Sequence, residues 1–175
     1  MTEQGPPFEE RRYGHDLLRE DAHRAHDTSD AFHTYVNQAA IESSNTALKT
    51  LIVINGGAAI AVLTFLGGVA SKDKIDFATV APVAYTIRYF AFGVALTMAG
   101  MAFTYLTHYF MTAIEGSRLK IYTHPFVVDG PGTPRLRLIN RTFHIGAVAA
   151  ALSSLLLFLI GMYAASDGIA HLLVK

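Results

Sequence analysis

Residues 50–71 read TLIVINGGAAIAVLTFLGGVAS, 22 positions without a charged side chain, set between Lys49 and Lys72. As an α-helix rising about 1.5 Å per residue, the stretch covers roughly 33 Å, enough for the hydrocarbon core of a bilayer. A surface helix of that length would carry charges on its outer face, and this one carries none. Two further stretches behave alike: the 26 uncharged residues 89–114 (YFAFGVALTMAGMAFTYLTHYFMTAI) and the 25 of 142–166 (TFHIGAVAAALSSLLLFLIGMYAAS). The sequence predicts an all-α membrane protein with transmembrane helices near 48–71, 84–114 and 142–166, the last two joined by a loop at 115–141. Pro82 is expected in the first turn of the second helix, where a missing N–H costs nothing. Lys72, Asp73, Lys74 and Asp76 would form the short connection before it.

The 175 residues are 51% hydrophobic and 16% charged, against about 25% charged for a water-facing domain. Basic and acidic side chains balance at 14 each, which argues against a nucleic-acid partner. The absence of Cys excludes disulfides, thiolate metal sites and cysteine nucleophiles. No glycine-rich phosphate loop, serine elbow, paired catalytic carboxylates or zincin motif occurs, so no enzyme chemistry is expected.

Orientation follows from the basic residues. Arg11, Arg12, Arg19, Arg24 and Lys49 precede the first span, and Arg118, Lys120, Arg135, Arg137 and Arg141 lie between the second and third. Lys72, Lys74, Arg88 and Lys175 fall on the other side. The positive-inside rule then places the N-terminus and the loop in the cytoplasm and the C-terminus outside. The first apolar run begins only after a long polar stretch, so it reads as a retained span rather than a secretory leader. The segment INGGAAIAVLTFLG (54–67) resembles stretches of small bacterial inner-membrane proteins, which implies a bacterial inner membrane.

Small residues recur at helical spacing along each span. Gly57, Ala61, Thr64 and Gly68 mark the first, Gly93, Thr97, Gly100 and Thr104 the second, and Gly146, Ala150, Ser153 and Gly161 the third. Lipid supplies no hydrophobic force between helices, so such seams carry helix association, within one chain or between subunits. Asn55, deep in the first span, must find a hydrogen-bond partner there; it reads as an interhelical contact or as the lining of a pore. No ionisable residue lies at comparable depth, unlike a proton pump or voltage sensor.

Upstream, residues 1–13 are expected to be flexible, and 14–47 read as an amphipathic cytoplasmic helix running into the first span or bending near Ser43–Ser44. Leu17, Leu18, Ala25, Phe32, Tyr35, Val36, Ala39 and Ser43 share one side of a 100° wheel. Residues 1–46 hold nine acids and four Arg, which disfavours an anionic lipid surface and favours a partner helix, a copy of this one or another protein. His23, His26, Asp27, Asp30 and His33 lie on its polar face at metal-ligand spacing. The plainer reading of the same residues is a solvated face with i, i+4 pairs such as His23–Asp27 and His26–Asp30; they could also sense pH.

His108 and His144 lie at similar depth near the cytoplasmic side and could ligate a haem axially, as in a haem- or quinone-bearing respiratory anchor; interfacial anchoring is the plainer reading. In the loop, GPGTP marks a turn, and the flanking IYTHPFVV and RLRLI could pair as a short hairpin. Its basic residues could meet anionic lipid headgroups or an acidic surface, the acidic N-terminal helix of the same or a neighbouring chain being one candidate. The expected function is assembly: an accessory or scaffolding subunit or a homo-oligomer, with the lipid bilayer and other copies or subunits as partners. A pore lined by the first helix and the haem or quinone anchor are the alternatives. No cofactor is expected in the leading reading.

Overall fold

In a computed structural model of the chain, residues 8–71 and 77–173 are described. Helix α1 spans Phe8–Ala70, α2 Phe77–Tyr85, α3 Ile87–Ser117 and α4 Thr133–Leu173; the two-residue strands β1 (Leu119–Lys120) and β2 (Val127–Val128) lie between α3 and α4. The fold is all-α, and three of its helices are long and apolar enough to cross a membrane. Residues 1–7, the connection Lys72, Asp73, Lys74 and Asp76, and Lys175 lie outside the described residues.

α1 is 63 residues long because nothing in its sequence stops it. No proline occurs between Pro7 and Pro82, and the helix runs through Ser43–Ser44 without a break. It starts at Phe8, six residues before the expected Gly14. Pro82 falls inside α2 rather than in its first turn. Its ring cannot donate and crowds the preceding turn, and the helix gives way shortly after, at Thr86. There Thr86 N and Oγ1 both reach the Val83 carbonyl, at 3.1 and 2.7 Å. The hairpin also differs from expectation. β1 pairs antiparallel with β2 (Leu119 opposite Val128), while the segment RLRLI is already helical in α4. Arginine and leucine are good helix formers, and Pro134 suits a first turn.

The chain divides into two compact units. The first takes α1 up to Ala40 together with His108–Asn140; the second takes Ile41–Thr107 with the residues from Arg141 onward. In the second unit the seam of α3 turns inward, with Gly93, Thr97, Gly100 and Thr104 all buried. Gly100 sits against Leu48 and Ala150, Gly146 against the Phe103 ring, and Gly161 against the Phe90 ring. Val62, Val83, Phe90 and Ala165 form its apolar centre, with Phe65, Leu66 and Phe158 packed around them. The seam of α1 behaves in the opposite way: Gly57, Ala61, Thr64 and Gly68 are exposed, and both glycines face open space. On α4 the seam passes through Ser154, which is buried, and not through Ser153, which is exposed. Both positions fit a 3.6-residue period counted from Ala150, and the packing selects i+4.

This contrast fixes what added methyl groups should do. Gly161→Ala places a Cβ 2.8 Å from Phe90 Cε1, which should destabilise the unit by about 1–3 kcal/mol. Gly57→Ala meets nothing and should change stability by no more than about 0.5 kcal/mol. Unfolding in mixed micelles by graded addition of sodium dodecyl sulfate measures both.

Candidate functional site

Two polar clusters carry the residues with chemical potential, one in each unit. In the second unit the centre is Asn55, 0% exposed. Its Nδ2 donates to Leu51 O in its own helix (2.9 Å) and to Ser154 Oγ on α4 (3.2 Å). Ser154 Oγ donates to Gly93 O on α3 at 2.8 Å. Thr97 Oγ1 lies 2.8 Å from both Ser154 Oγ and Gly93 O. Three helices are thus joined through one amide and two hydroxyls. Asn55 Oδ1 has no conventional donor and lies directly against Gly93, on the side where any other residue would carry its Cβ. The hydrogen that glycine carries there points at the oxygen, a weak Cα–H···O contact. Asn55 therefore faces the interior of its own bundle.

In the first unit the histidine side of α1 packs against the chain's own hairpin. Ala22 and His26 are buried, and Ser29, His33 and Asn37 are half-buried. His26 Nε2 lies 2.9 Å from Phe126 O and 3.2 Å from Ile121 O. Carbonyls only accept, so Nε2 carries the proton and its N–H is shared between them. Arg118 Nη1 lies 3.2 Å from His33 Nε2. A guanidinium only donates, so His33 holds its proton on Nδ1 and is the opposite tautomer. Arg118 also pairs with Glu115 (3.4 Å) and Asp129 (3.8 Å). Lys120 reaches Asp30 at 2.7 Å. The rings of His23 and His26 meet Tyr122 edge-on, with centroids 5.7 and 6.0 Å away.

The loop's backbone is shaped to make these contacts. Phe126 has φ of 65°, a left-handed value that costs a bulky side chain of order 1–3 kcal/mol. Its carbonyl, which accepts from His26 and from Ile121 N, is thereby held. Gly130 packs so closely on the Ser117 carbonyl that a Cβ there would collide with backbone. Thr133, buried at the start of α4, meets Ser117 through a hydroxyl pair at 2.8 Å.

Of the five residues with metal-ligand spacing, His26, Asp30 and His33 are each bonded to a different part of the loop, and Asp27 is exposed. Among the described residues no three His, Asp or Glu side chains converge as a cation site. His108 is half-buried with Nδ1 3.1 Å from Asn37 Oδ1, and His144 is exposed on α4. Asn37 was not singled out by sequence reasoning, and Arg118 figured there only as one of the loop's basic residues, because their partners depend on which face of α1 the loop chooses. The nine acids upstream of the first span against five bases in the loop were the available signal. Comparison of the chain with family profiles, with curated proteins and with solved structures gives no match.

The Lys120 hydrogen bond holds the Asp30 carboxyl below its ordinary 3.8, and the same bond holds the Lys120 ammonium above 10.5. The pair therefore supports hairpin docking between those two ordinary values, loses that support as pH falls through the lowered Asp30 value, and loses it again as pH rises through the raised Lys120 value. Both groups are exposed, so salt should weaken the pair. His26→Leu strands the Ile121 carbonyl, a loss of about 1–3 kcal/mol, and should raise amide exchange at 119–128 about tenfold or more while exchange in the bundle stays unchanged. Hydrogen-exchange mass spectrometry reads all three effects.

Proposed function

We propose that this chain is a non-enzymatic, multi-pass protein of a bacterial inner membrane that acts by assembly, as a homo-oligomer or as an accessory subunit of a larger membrane complex. In this reading the N-terminal α1 segment and the hairpin are cytoplasmic and the C-terminus lies outside, as the distribution of Lys and Arg favours. The α1 segment is taken as amphipathic, its apolar side available to a partner.

One observation carries the proposal: the seam Gly57, Ala61, Thr64 and Gly68 is exposed, while the equivalent seam of α3 is buried within the chain. In lipid, close backbone approach at small residues drives helices together, so an unused seam on a spanning helix is a surface for another helix. An apolar groove beside it, lined by Ala58, Ala61, Phe65, Met162 and Ile169, gives a neighbouring side chain a place to enter.

The test is native mass spectrometry after gentle detergent extraction. The chain should travel in an assembly heavier than its own 19.0 kDa, and Gly57→Ile with Ala61→Ile should release it as a folded monomer. A wild-type chain that flies alone, or an assembly indifferent to both substitutions, contradicts the proposal.

A further inference from the structure

The contact between α1 and the loop at His33 exists in only one protonation state of the ring. Arg118 Nη1 lies 3.2 Å from His33 Nε2, and a guanidinium only donates, so the bond needs the lone pair on that nitrogen. A proton on Nε2 occupies the lone pair. It sets N–H against N–H, with a positive charge on both sides. The guanidinium cannot lose a proton in compensation. The Arg118 side chain is 25% exposed, so water screens the two charges only in part.

The groups that face His33 decide which partner gives way. From α3 and the loop come Glu115, Arg118, Lys120 and Asp129. From α1 come Asp30, one turn before, and Asn37, one turn after, which meets His108 of α3. Arg118 is anchored on the loop's side by Glu115 at 3.4 Å and Asp129 at 3.8 Å, and Asp129 also holds Arg137 of α4 at 3.0 Å. The charged ring is therefore the group that departs. Asp30, the carboxylate next to it along α1, already holds Lys120 at 2.7 Å. Asp27, which adds to the negative field on Lys120, is exposed. A cationic His33 that turns to Asp30 competes with Lys120, so either course costs the hairpin a tie to α1. His26 behaves differently, because its Nε2–H donates to the Phe126 and Ile121 carbonyls in the neutral and the charged ring alike.

We propose that His33 and Arg118 form an acid-sensitive latch, which holds the hairpin on α1 while the imidazole is neutral and releases it when the ring takes a proton. Docking and protonation exclude each other at Nε2, so docking strengthens as pH rises and weakens as it falls. Histidine is the side chain whose charge changes between about pH 5 and 8. Across that interval Asp30 and Lys120 both keep their charges, so their own titration does not enter. The latch lies within the first unit and needs no partner chain, so it is independent of the assembly reading.

The test is hydrogen-exchange mass spectrometry on the full chain in nanodiscs at about pH 7.5 and about pH 5.5, which span the imidazole range. Rates are corrected for the intrinsic effect of pH on exchange. Protection at 119–128 should fall about tenfold at the lower pH, as expected for the loss of one hydrogen bond from a charged donor. Protection at 89–107, in the second unit, should stay level. His33→Gln offers Arg118 an amide oxygen at every pH; it should keep the protection seen at the higher pH and lose the response. His33→Lys carries its charge at both values and should show the low protection at both.

Equal protection of wild type at the two pH values would overturn the proposal, as would a response that survives unchanged in His33→Gln. A fall shared by 89–107 would do the same, because it reports unfolding of the whole chain. Loss of protection in His33→Gln at the higher pH also contradicts the latch, since an acceptor alone should hold Arg118. So does a His33→Lys variant as well protected as wild type.

Discussion

In hydrocarbon no water competes for hydrogen bonds and no hydrophobic force acts between helices, so helices hold together where backbones come close and polar groups find one another. Asn55 satisfies both conditions at one point. Its amide joins Leu51 and Ser154, the serine reaches the Gly93 carbonyl, and the bare Cα of Gly93 admits the asparagine side chain. The amide requires a neighbour, the glycine permits it, and Thr97 fills out the contact from α3. The inward phase of α3 follows, and with it the burial of Gly100 and Thr104 along the same seam. Once Asn55 is fixed inward, Gly57, Ala61, Thr64 and Gly68 are carried to the outside of α1 by helical geometry. The unused seam is thus a consequence of the used one.

The first unit solves a different problem. Apart from the small side chain of Ala22, its helix meets the hairpin through polar groups: the imidazole of His26 and the ion pair of Asp30 with Lys120. Polar clamps of this kind fix geometry and leave the large side chains of the opposite face uncovered. Leu18, Phe32 and Tyr35 are exposed for that reason. Both units therefore leave their most adhesive surface of α1 outward, which is the physical content of the assembly proposal.

Much of this was legible in the residues. Three charge-free stretches and the seam spacing give the three long apolar helices, because bilayer thickness and helical rise leave little alternative. The need of Asn55 for a partner was likewise readable, as was the small-residue nature of α3. The partner itself was not. Ser153 and Ser154 fit the period equally, and only the packing of α4 separates them. The loop's choice of the histidine side over the apolar side of α1 was also hidden. A pattern of side chains shows which faces exist, and it does not show which face a distant segment selects. Pro82 was misplaced because the helix before it starts at Phe77, in a region whose charges read as a connection. RLRLI fits strand and helix alike over so short a run, and continuity with α4 decides it.

The account stands on α1 presenting outward what α3 turns inward. The chain has no native Cys, so single cysteines can carry a benzophenone in native membranes. A probe on Ala61→Cys should photocrosslink to a second polypeptide, a copy or another subunit. A probe on Leu159→Cys, exposed on α4, should reach lipid alone, and one on Thr97→Cys should join no second chain. Crosslinks to another polypeptide from Thr97→Cys, with none from Ala61→Cys, would contradict the account at its root.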